Sequence, residues 1–104
     1  MTSHGLSCFM TELVQWTDFG EEAMDFGIAL ATSSDSYKVV EHAEALGFSH
    51  AWFYDTQMLS ADCFVAMGAA AVKTSRIRLG TGVLIPSNRI AAVSANAFAS
   101  LNQL

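Results

Sequence analysis

The sequence is poor in charged residues and proline, and its few basic residues are scattered. Only 14% of the residues are charged, whereas 52% are hydrophobic, which is typical of a chain whose elements are buried on more than one face. Five lysines and arginines stand against ten acidic residues, so no positive stripe is available to neutralise a nucleic-acid backbone. These shortages argue against a disordered chain, a fibrous chain and a nucleic-acid-binding protein.

Cysteines and long apolar runs are also scarce. Cys8 and Cys63 lie far apart without CxxC or Cys/His spacing, so neither a zinc site nor a disulfide framework is predicted. The longest apolar run, residues 63–72, is too short to span a bilayer, and residues 1–23 lack the pattern of a signal peptide. We therefore expect a soluble protein of the reducing cytoplasm, with no metal site and no membrane contact.

Three times after residue 23, a short apolar run typical of a strand is followed by a helical pattern. Strands are predicted at residues 24–31, 51–54 and 77–85, and helices end near Leu46, near Thr74 and at Leu104. Alternating strands and helices with short links predict right-handed crossovers and a parallel sheet. The predicted fold class is therefore α/β, with residues 24–104 forming the first three β/α units of a TIM-type (β/α)8 barrel that is truncated before it closes.

Local signals mark the ends of the predicted helices. Ser34 and Asp35 are N-cap candidates for the first helix, Gly47 is placed for its left-handed C-cap, and Asp62 can cap the second helix. The third helix has apolar spacing for one buried face, carried by Ile90, Val93, Ala97, Leu101 and Leu104. It stops without a capping residue, and three helices cover only one face of a parallel sheet, which is why we expect truncation.

Residues 1–23 show no clear period. Gly20, Glu21 and Glu22 lie just before Met24, and their codons can resemble a bacterial ribosome-binding site. One hypothesis is that Met24 is the true start and that residues 1–23 are not native; the alternative is a flexible, disordered extension. A peptide from residues 1–23 in the endogenous product would contradict the first hypothesis.

Polar residues follow the predicted strands at the end where parallel sheets and barrels bind ligands. Asp55 comes directly after an aromatic strand, so its carboxylate can hydrogen-bond a cofactor ring or a substrate; alternatively, it caps the loop or the next helix. Thr56 and Gln57 can add neutral hydrogen bonds. Arg89, at the start of the third helix, is placed to meet an anion, unless it is a solvated first-turn residue.

The glycines of the third strand invite comparison with a dinucleotide-binding loop. After Gly80 and Gly82 the third glycine of that motif would fall at Ile85, and no helix follows directly, so we reject a Rossmann loop. Glycines within a strand allow a bulge or the close approach of backbone to a flat ligand, or serve barrel packing. No histidine has a nucleophile or acid at a telling spacing, so a hydrolytic triad is not supported, and the methionines and tryptophans are expected in the core.

Several segments are similar to one family. Residues 24–28 (MDFGI), 43–48 (AEALGF), 51–55 (AWFYD) and above all 74–83 (TSRIRLGTGV) resemble the luciferase-like flavin-dependent monooxygenases and their deazaflavin-dependent reductase relatives. The likeness covers residues 24–104, about three of the eight β/α units of such a barrel. The third-strand segment carries most of it.

The resemblance implies an oxidoreductase that uses reduced FMN with oxygen, or a deazaflavin as hydride carrier. It implies a small-molecule substrate and a homo-oligomeric full-length form. It also implies that Asp55 lies near the cofactor ring with Gly82, Val83 and Ile85, and that the peptide between Gly82 and Val83 is cis. Thr56 and Arg89 are then candidates for contact with a substrate or an anion.

Two positions depart from the family pattern. Several deazaflavin enzymes have a histidine after the strand-two acid, where this chain has Thr56, and relatives often have Asn-Pro where it has Ile85-Pro86. Cofactor contact is therefore expected, while proton transfer has no predicted residue.

The phosphate-binding part of the family site belongs to later strands, so we expect the isolated chain to bind no cofactor tightly and to be poorly soluble. The alternative to an enzyme is an inactive truncated product, or an association module that binds another chain through its exposed strand edges.

Overall fold

The computed structural model describes residues 24–104, and the two hypotheses about residues 1–23 lie outside this range. Its elements in chain order are β1 (Gly27–Leu30), α1 (Ser36–Ala45), β2 (His50–Phe53), α2 (Cys63–Lys73), β3 (Arg78–Thr81), a 3-10 turn (Pro86–Asn88) and α3 (Ala91–Leu101). The three predicted β/α units are confirmed. No helix in this part of the chain is both long and apolar enough to cross a membrane.

The three strands form one parallel sheet in the order β1-β2-β3. In the register of the sheet, Ala51 at the centre pairs with Ile28 on one side and Leu79 on the other. Because all three strands run in the same direction, their carboxyl ends meet at one edge, and the segments that follow β2 and β3 emerge there as neighbours.

The core lies between one face of the sheet and the helices α1 and α2. Ala51 and Phe53 alternate along β2 towards this side and are fully buried. The helices contribute Val40, Ala43, Cys63, Ala66, Met67 and Ala70. The small residues on α2 let this helix pack closely on its neighbours, and burial of this apolar surface is the main stabilising contribution.

The other face of the sheet carries the indole of Trp52, which is 42% exposed. A Cβ atom at Gly80 would lie 2.5 Å from Cζ3 of this indole, so the glycine provides the space that the ring occupies. His50 stacks on Trp52 with ring centroids 5.6 Å apart. The predicted core position of the methionines and tryptophans is confirmed for Met67. It is wrong for Trp52, because alternate residues of a strand face opposite sides, and for Met24 and Met58, which are exposed. Met1, Met10 and Trp16 lie outside the described residues.

Two of the predicted helix ends are confirmed. Gly47 has a φ of 95°, and the amide of Phe48 donates to the carbonyl oxygen of Ala43 at 3.0 Å, as in a Schellman C-cap. At the start of α2, Oδ2 of Asp62 accepts a hydrogen bond from the amide of Val65 at 3.0 Å. These two ends were readable from sequence because each depends on one local residue type.

The predicted side-chain N-cap of α1 is wrong. Asp35 precedes the helix but its side chain makes no capping bond, and instead its carboxylate pairs with Lys38. The amide of Ser33 donates to Oγ of Ser36 at 2.9 Å, so at this turn the hydroxyl of Ser36 accepts a backbone hydrogen bond. Ser34, the other candidate, makes no capping bond in this part of the chain.

The first and third strands are shorter than predicted. The first strand begins at Gly27 rather than Met24, and the third ends at Thr81 rather than at residue 85. The chain leaves the sheet at Gly82, whose amide still donates to the carbonyl oxygen of Phe53 at 2.8 Å.

The predicted buried face of α3 is wrong for the described residues, since none of the residues of this helix is buried. Ile90 and Val93 are exposed, while Phe98 packs edge-on against Phe64 with ring centroids 5.0 Å apart. Leu101 reaches the core cluster. The periodicity of apolar residues therefore indicates which side of a helix can be buried. It does not show that the rest of residues 24–104 covers that side.

Glu44 of α1 holds the segment that leads into β3. Its carboxylate accepts hydrogen bonds from the amides of Ser75 at 2.9 Å, Ile77 at 2.8 Å and Arg76. These amides, the Arg76 amide first, lower the pKa of Glu44 below its usual range. The first β/α unit is thereby tied to the third strand.

Candidate functional site

The carboxyl ends of the three strands lie along one edge of the sheet, where hydrogen bonds join the segments that follow β1 and β2. Oγ1 of Thr32, after β1, donates to the carbonyl oxygen of Tyr54 at 2.7 Å, and the amide of Ala61 donates to the carbonyl oxygen of Thr32 at 3.1 Å. Next to Tyr54 lies Asp55, whose side chain is only 2% exposed. The acid predicted to emerge at the mouth of the barrel is therefore held inside this edge.

Asp55 is bound through both of its carboxylate oxygens. Oδ2 accepts from Nη1 of Arg89 at 2.8 Å and from the amide of Ile85 at 2.9 Å, while Oδ1 accepts from Nη2 of Arg89 at 2.9 Å. The hydrogen bonds from Arg89 are the main cause that lowers the pKa of Asp55 to about 2, against the opposing effect of burial. Asp55 is therefore ionised at neutral pH and its charge is matched by an adjacent guanidinium.

Arg89 is held on three sides. Apart from Asp55, its Nη2 lies 3.4 Å from Oδ1 of Asp62, and its guanidinium carbon lies 4.7 Å from the centre of the Phe64 ring. Its side chain is 12% exposed, and the bonds to Asp55 raise its pKa further above the usual range. The predicted alternative of a solvated first-turn residue is thus wrong, because the charge of Arg89 is buried against an internal anion.

Residues 82–85 form a loop that follows β3 and bends at Gly82 and Val83. The peptide between Gly82 and Val83 is cis, as the family resemblance implies. The side chain of Val83 is 74% exposed, and the amides of Val83 and Leu84 donate to no other residue of the described part, 24–104. This loop offers free backbone donors beside an exposed apolar side chain.

Thr56 and Cys63 flank the same edge. The hydroxyl of Thr56 is 2.6 Å from Oγ of Ser60, so it is engaged within its own loop. The thiol of Cys63 lies 3.8 Å from Nη2 of Arg89, and burial, followed by the charge of Asp55, raises its pKa to about 11. A thiol that stays protonated at neutral pH is a poor nucleophile and a poor metal ligand. Within residues 24–104, no group of three or more His, Cys, Asp or Glu side chains is placed to hold a metal ion.

The structure therefore brings Asp55, Ile85 and Arg89 into direct contact, with Gly82 and Val83 in the adjoining loop. Sequence reasoning missed that Arg89 binds Asp55, and it missed Asp62 and Phe64 as the other neighbours of Arg89. Asp62 was recognised only as a helix cap. Its position just after the loop that begins at Asp55 was the one available signal that it belongs to this cluster.

Parallel strands with helical crossovers and polar side chains at their carboxyl ends are typical of α/β folds that bind ligands at that edge. A family model for luciferase-like monooxygenases matches residues 18–104. The chain therefore belongs to the luciferase-like monooxygenase family. Its fold corresponds to three β/α units of the barrel.

Two relatives that the chain matches are named as reductases. A 5,10-methylenetetrahydromethanopterin reductase of Methanolobus tindarius is 34% identical over 84 residues, which are 78% of this chain and 26% of that protein. The structure of the coenzyme F420-dependent tetrahydromethanopterin reductase of Methanopyrus kandleri matches with a TM-score of 0.64 and 32% identity, covering 74% of this chain and 23% of that one. The chain spans about a quarter of the length of these relatives.

Proposed function

We propose that this chain supplies the ring-binding part of a coenzyme F420-dependent oxidoreductase, and that its cofactor is a deazaflavin rather than FMN. The two relatives described above support this choice, since one is named as F420-dependent and both are named as reductases. When bound, such a deazaflavin supplies a hydride to the substrate or accepts one from it. The matched segment is about a quarter of the length of each relative, so the activity of a whole reductase is part of this proposal.

The observation that carries the proposal is the exposed loop at residues 82–85. A flat heteroaromatic ring with carbonyl oxygens needs an apolar surface against its face and hydrogen-bond donors near its edge. The loop has an exposed Val83, and the amides of Val83 and Leu84 donate to no other residue within 24–104. Gly82 adds backbone without a side chain. The residues present therefore fit the group, and Gly82, Val83 and Ile85 are our proposed ring-lining residues, with Asp55 next to them.

We propose a small molecule of the reduced-pterin class as the substrate, because the names of the relatives specify such molecules. Thr56, which follows Asp55 in sequence, and Arg89 remain predicted contacts with a substrate or an anion. No ionisable side chain stands at position 56, so proton transfer at this edge would depend on water or on other barrel strands. A homo-oligomeric full-length form remains a prediction as well.

A graft tests this function. The 84-residue matching segment of the Methanolobus reductase is replaced by the corresponding segment of this chain, and binding of coenzyme F420 is measured by fluorescence titration. We expect the graft to bind the coenzyme and to oxidise its reduced form with methylenetetrahydromethanopterin. A folded graft that binds no coenzyme F420 would overturn the proposal.

A pair of substitutions locates the binding surface within the graft. Val83→Asp places a carboxylate on the loop and is expected to weaken coenzyme binding at least about tenfold through lost apolar contact and charge desolvation. Val72→Asp alters an equally apolar, exposed residue on α2 and is the matched control. Equal affinities of the two variants would place the ring elsewhere.

A further inference from the structure

We propose that Asp55 and Arg89 are positioning residues, which fix the loop at residues 82–85 in the place where the ring binds without themselves contacting the ring. This inference rests on the proposed function of the loop. It differs from the expectation that the carboxylate of Asp55 binds the cofactor directly.

The first argument is that Asp55 has little capacity left for a ligand. A carboxylate has about four lone-pair sites. Hydrogen bonds from the amide of Ile85 and from Nη1 and Nη2 of Arg89 occupy three of these sites. Only 2% of the side chain is exposed. A ring at this edge meets the backbone that Asp55 holds before it meets the carboxylate.

The second argument is that Arg89 is a fixed partner rather than a mobile cation. It donates to Asp55 in a two-pronged arrangement, approaches Asp62 at 3.4 Å and lies over the Phe64 ring at 4.7 Å. Such forked pairs define an orientation as well as a distance. The guanidinium thus ties the end of β2 and the start of α2 to the segment that precedes α3.

The third argument is the way the loop itself is anchored. Gly82 is fixed to β2 through its amide, which donates to the carbonyl oxygen of Phe53 at 2.8 Å, and Ile85 is fixed through its amide, which donates to Asp55 at 2.9 Å. Val83 and Leu84 lie between these two anchors and belong to no helix or strand. Asp55 therefore supplies the second anchor, and Arg89 sets the orientation of Asp55.

Amide hydrogen exchange followed by mass spectrometry tests this inference on the chain without any cofactor. Arg89→Met removes the charge but keeps the stem, Arg89→Lys keeps the charge but loses the fork, and Lys38→Met breaks the exposed pair with Asp35 as a matched control. Protection of β1 and α1 in the same spectra reports whether each variant is folded.

We expect Arg89→Met to accelerate exchange of the Ile85 amide, which donates to Asp55, about tenfold, as when one charge-assisted hydrogen bond is lost, with unchanged protection of β1 and α1. Arg89→Lys should give an intermediate rate, and Lys38→Met should match the unmodified chain. Unchanged exchange of the Ile85 amide in Arg89→Met would overturn the positioning role. If Arg89→Met fails to fold, Arg89→Lys decides by the same comparison.

Titration with coenzyme F420 of the graft described above, carrying the same Arg89 substitutions, separates this inference from the proposed function. Faster loop exchange together with weaker binding in both Arg89 variants supports the positioning role. Weaker binding with unchanged loop exchange would overturn it, because the pair would then contact the ring directly. Absence of coenzyme binding in every folded graft would contradict the proposed function, while the exchange rates would still decide whether the pair positions the loop.

Discussion

Removing the charge of Asp55 should make the stability of the chain less sensitive to acid. The pKa of Asp55 is lowered from 3.8 to about 2 in the folded chain. Each pKa unit corresponds to about 1.4 kcal/mol, so the ionised carboxylate contributes about 2.5 kcal/mol to folding. Because the folded pKa is the lower one, this contribution is fully present above the unfolded pKa and is lost as the pH falls through the folded pKa. Most of the loss falls between about pH 5 and about pH 2.

Urea unfolding measured by circular dichroism at several pH values tests this expectation. The unmodified chain is compared with Asp55→Asn, and Asp35→Asn, which removes an exposed ion pair, is the control. The difference in unfolding free energy between the unmodified chain and Asp55→Asn should shrink by about 2 kcal/mol from about pH 6 to about pH 2. Asp35→Asn should alter stability by less than about 0.5 kcal/mol. A difference for Asp55→Asn that stays constant over this range would refute the argument.

Three further substitutions test a packing contact, a helix C-cap and a hydrogen-bonded carboxylate. Gly80→Ala should destabilise the chain by about 1 to 3 kcal/mol in thermal unfolding, because its Cβ would lie 2.5 Å from the indole of Trp52; Gly68→Ala, whose Cβ would meet only Leu101 at 3.9 Å, is the control and should be neutral or stabilising. Gly47→Ala should cost about 1 kcal/mol in urea unfolding, since residue 47 has a φ of 95°. Glu44→Gln should lower the unfolding free energy by about 1 kcal/mol near neutral pH, and this difference should shrink in acid, because the pKa of Glu44 is lowered in the folded chain.

The order of the elements could be predicted because each depends on local sequence. The alternation of apolar runs and helical periods located three strands and three helices, and single residues such as Gly47 and Asp62 marked helix ends. The predicted side-chain cap of α1 was wrong because several polar residues adjoin one another there. The turn that forms decides which of their side chains bonds to the backbone. The predicted length of β3 was wrong because apolar residues continue at Val83, Leu84 and Ile85, beyond Gly82, where the chain leaves the sheet.

The candidate site was predicted residue by residue but not as a set of contacts. Asp55 and Arg89 were both recognised as polar residues at strand or helix ends, and each was assigned a ligand of its own. Their bond joins positions 34 residues apart, and no local pattern reports such a separation. Trp52 illustrates the same limit. A large apolar side chain is expected in the core, but the register of the sheet places this indole on the opposite face, over Gly80.

The distance in sequence between Asp55 and Arg89 makes the site dependent on the fold of two β/α units. Asp55 follows β2, and the loop that it binds follows β3, so the bond between Asp55 and Ile85 forms only when the two strands are paired in register. A shift of one residue would move Ile85 by about 3.3 Å along the strand and break both this bond and the fork to Arg89. Asp62 adds the start of α2 to the same cluster, because it caps that helix with one oxygen and approaches Arg89 with the other. The geometry of the proposed ring-binding loop is therefore a consequence of correct strand pairing, and a change that loosens the pairing of β2 with β3 should alter the loop before it unfolds the core.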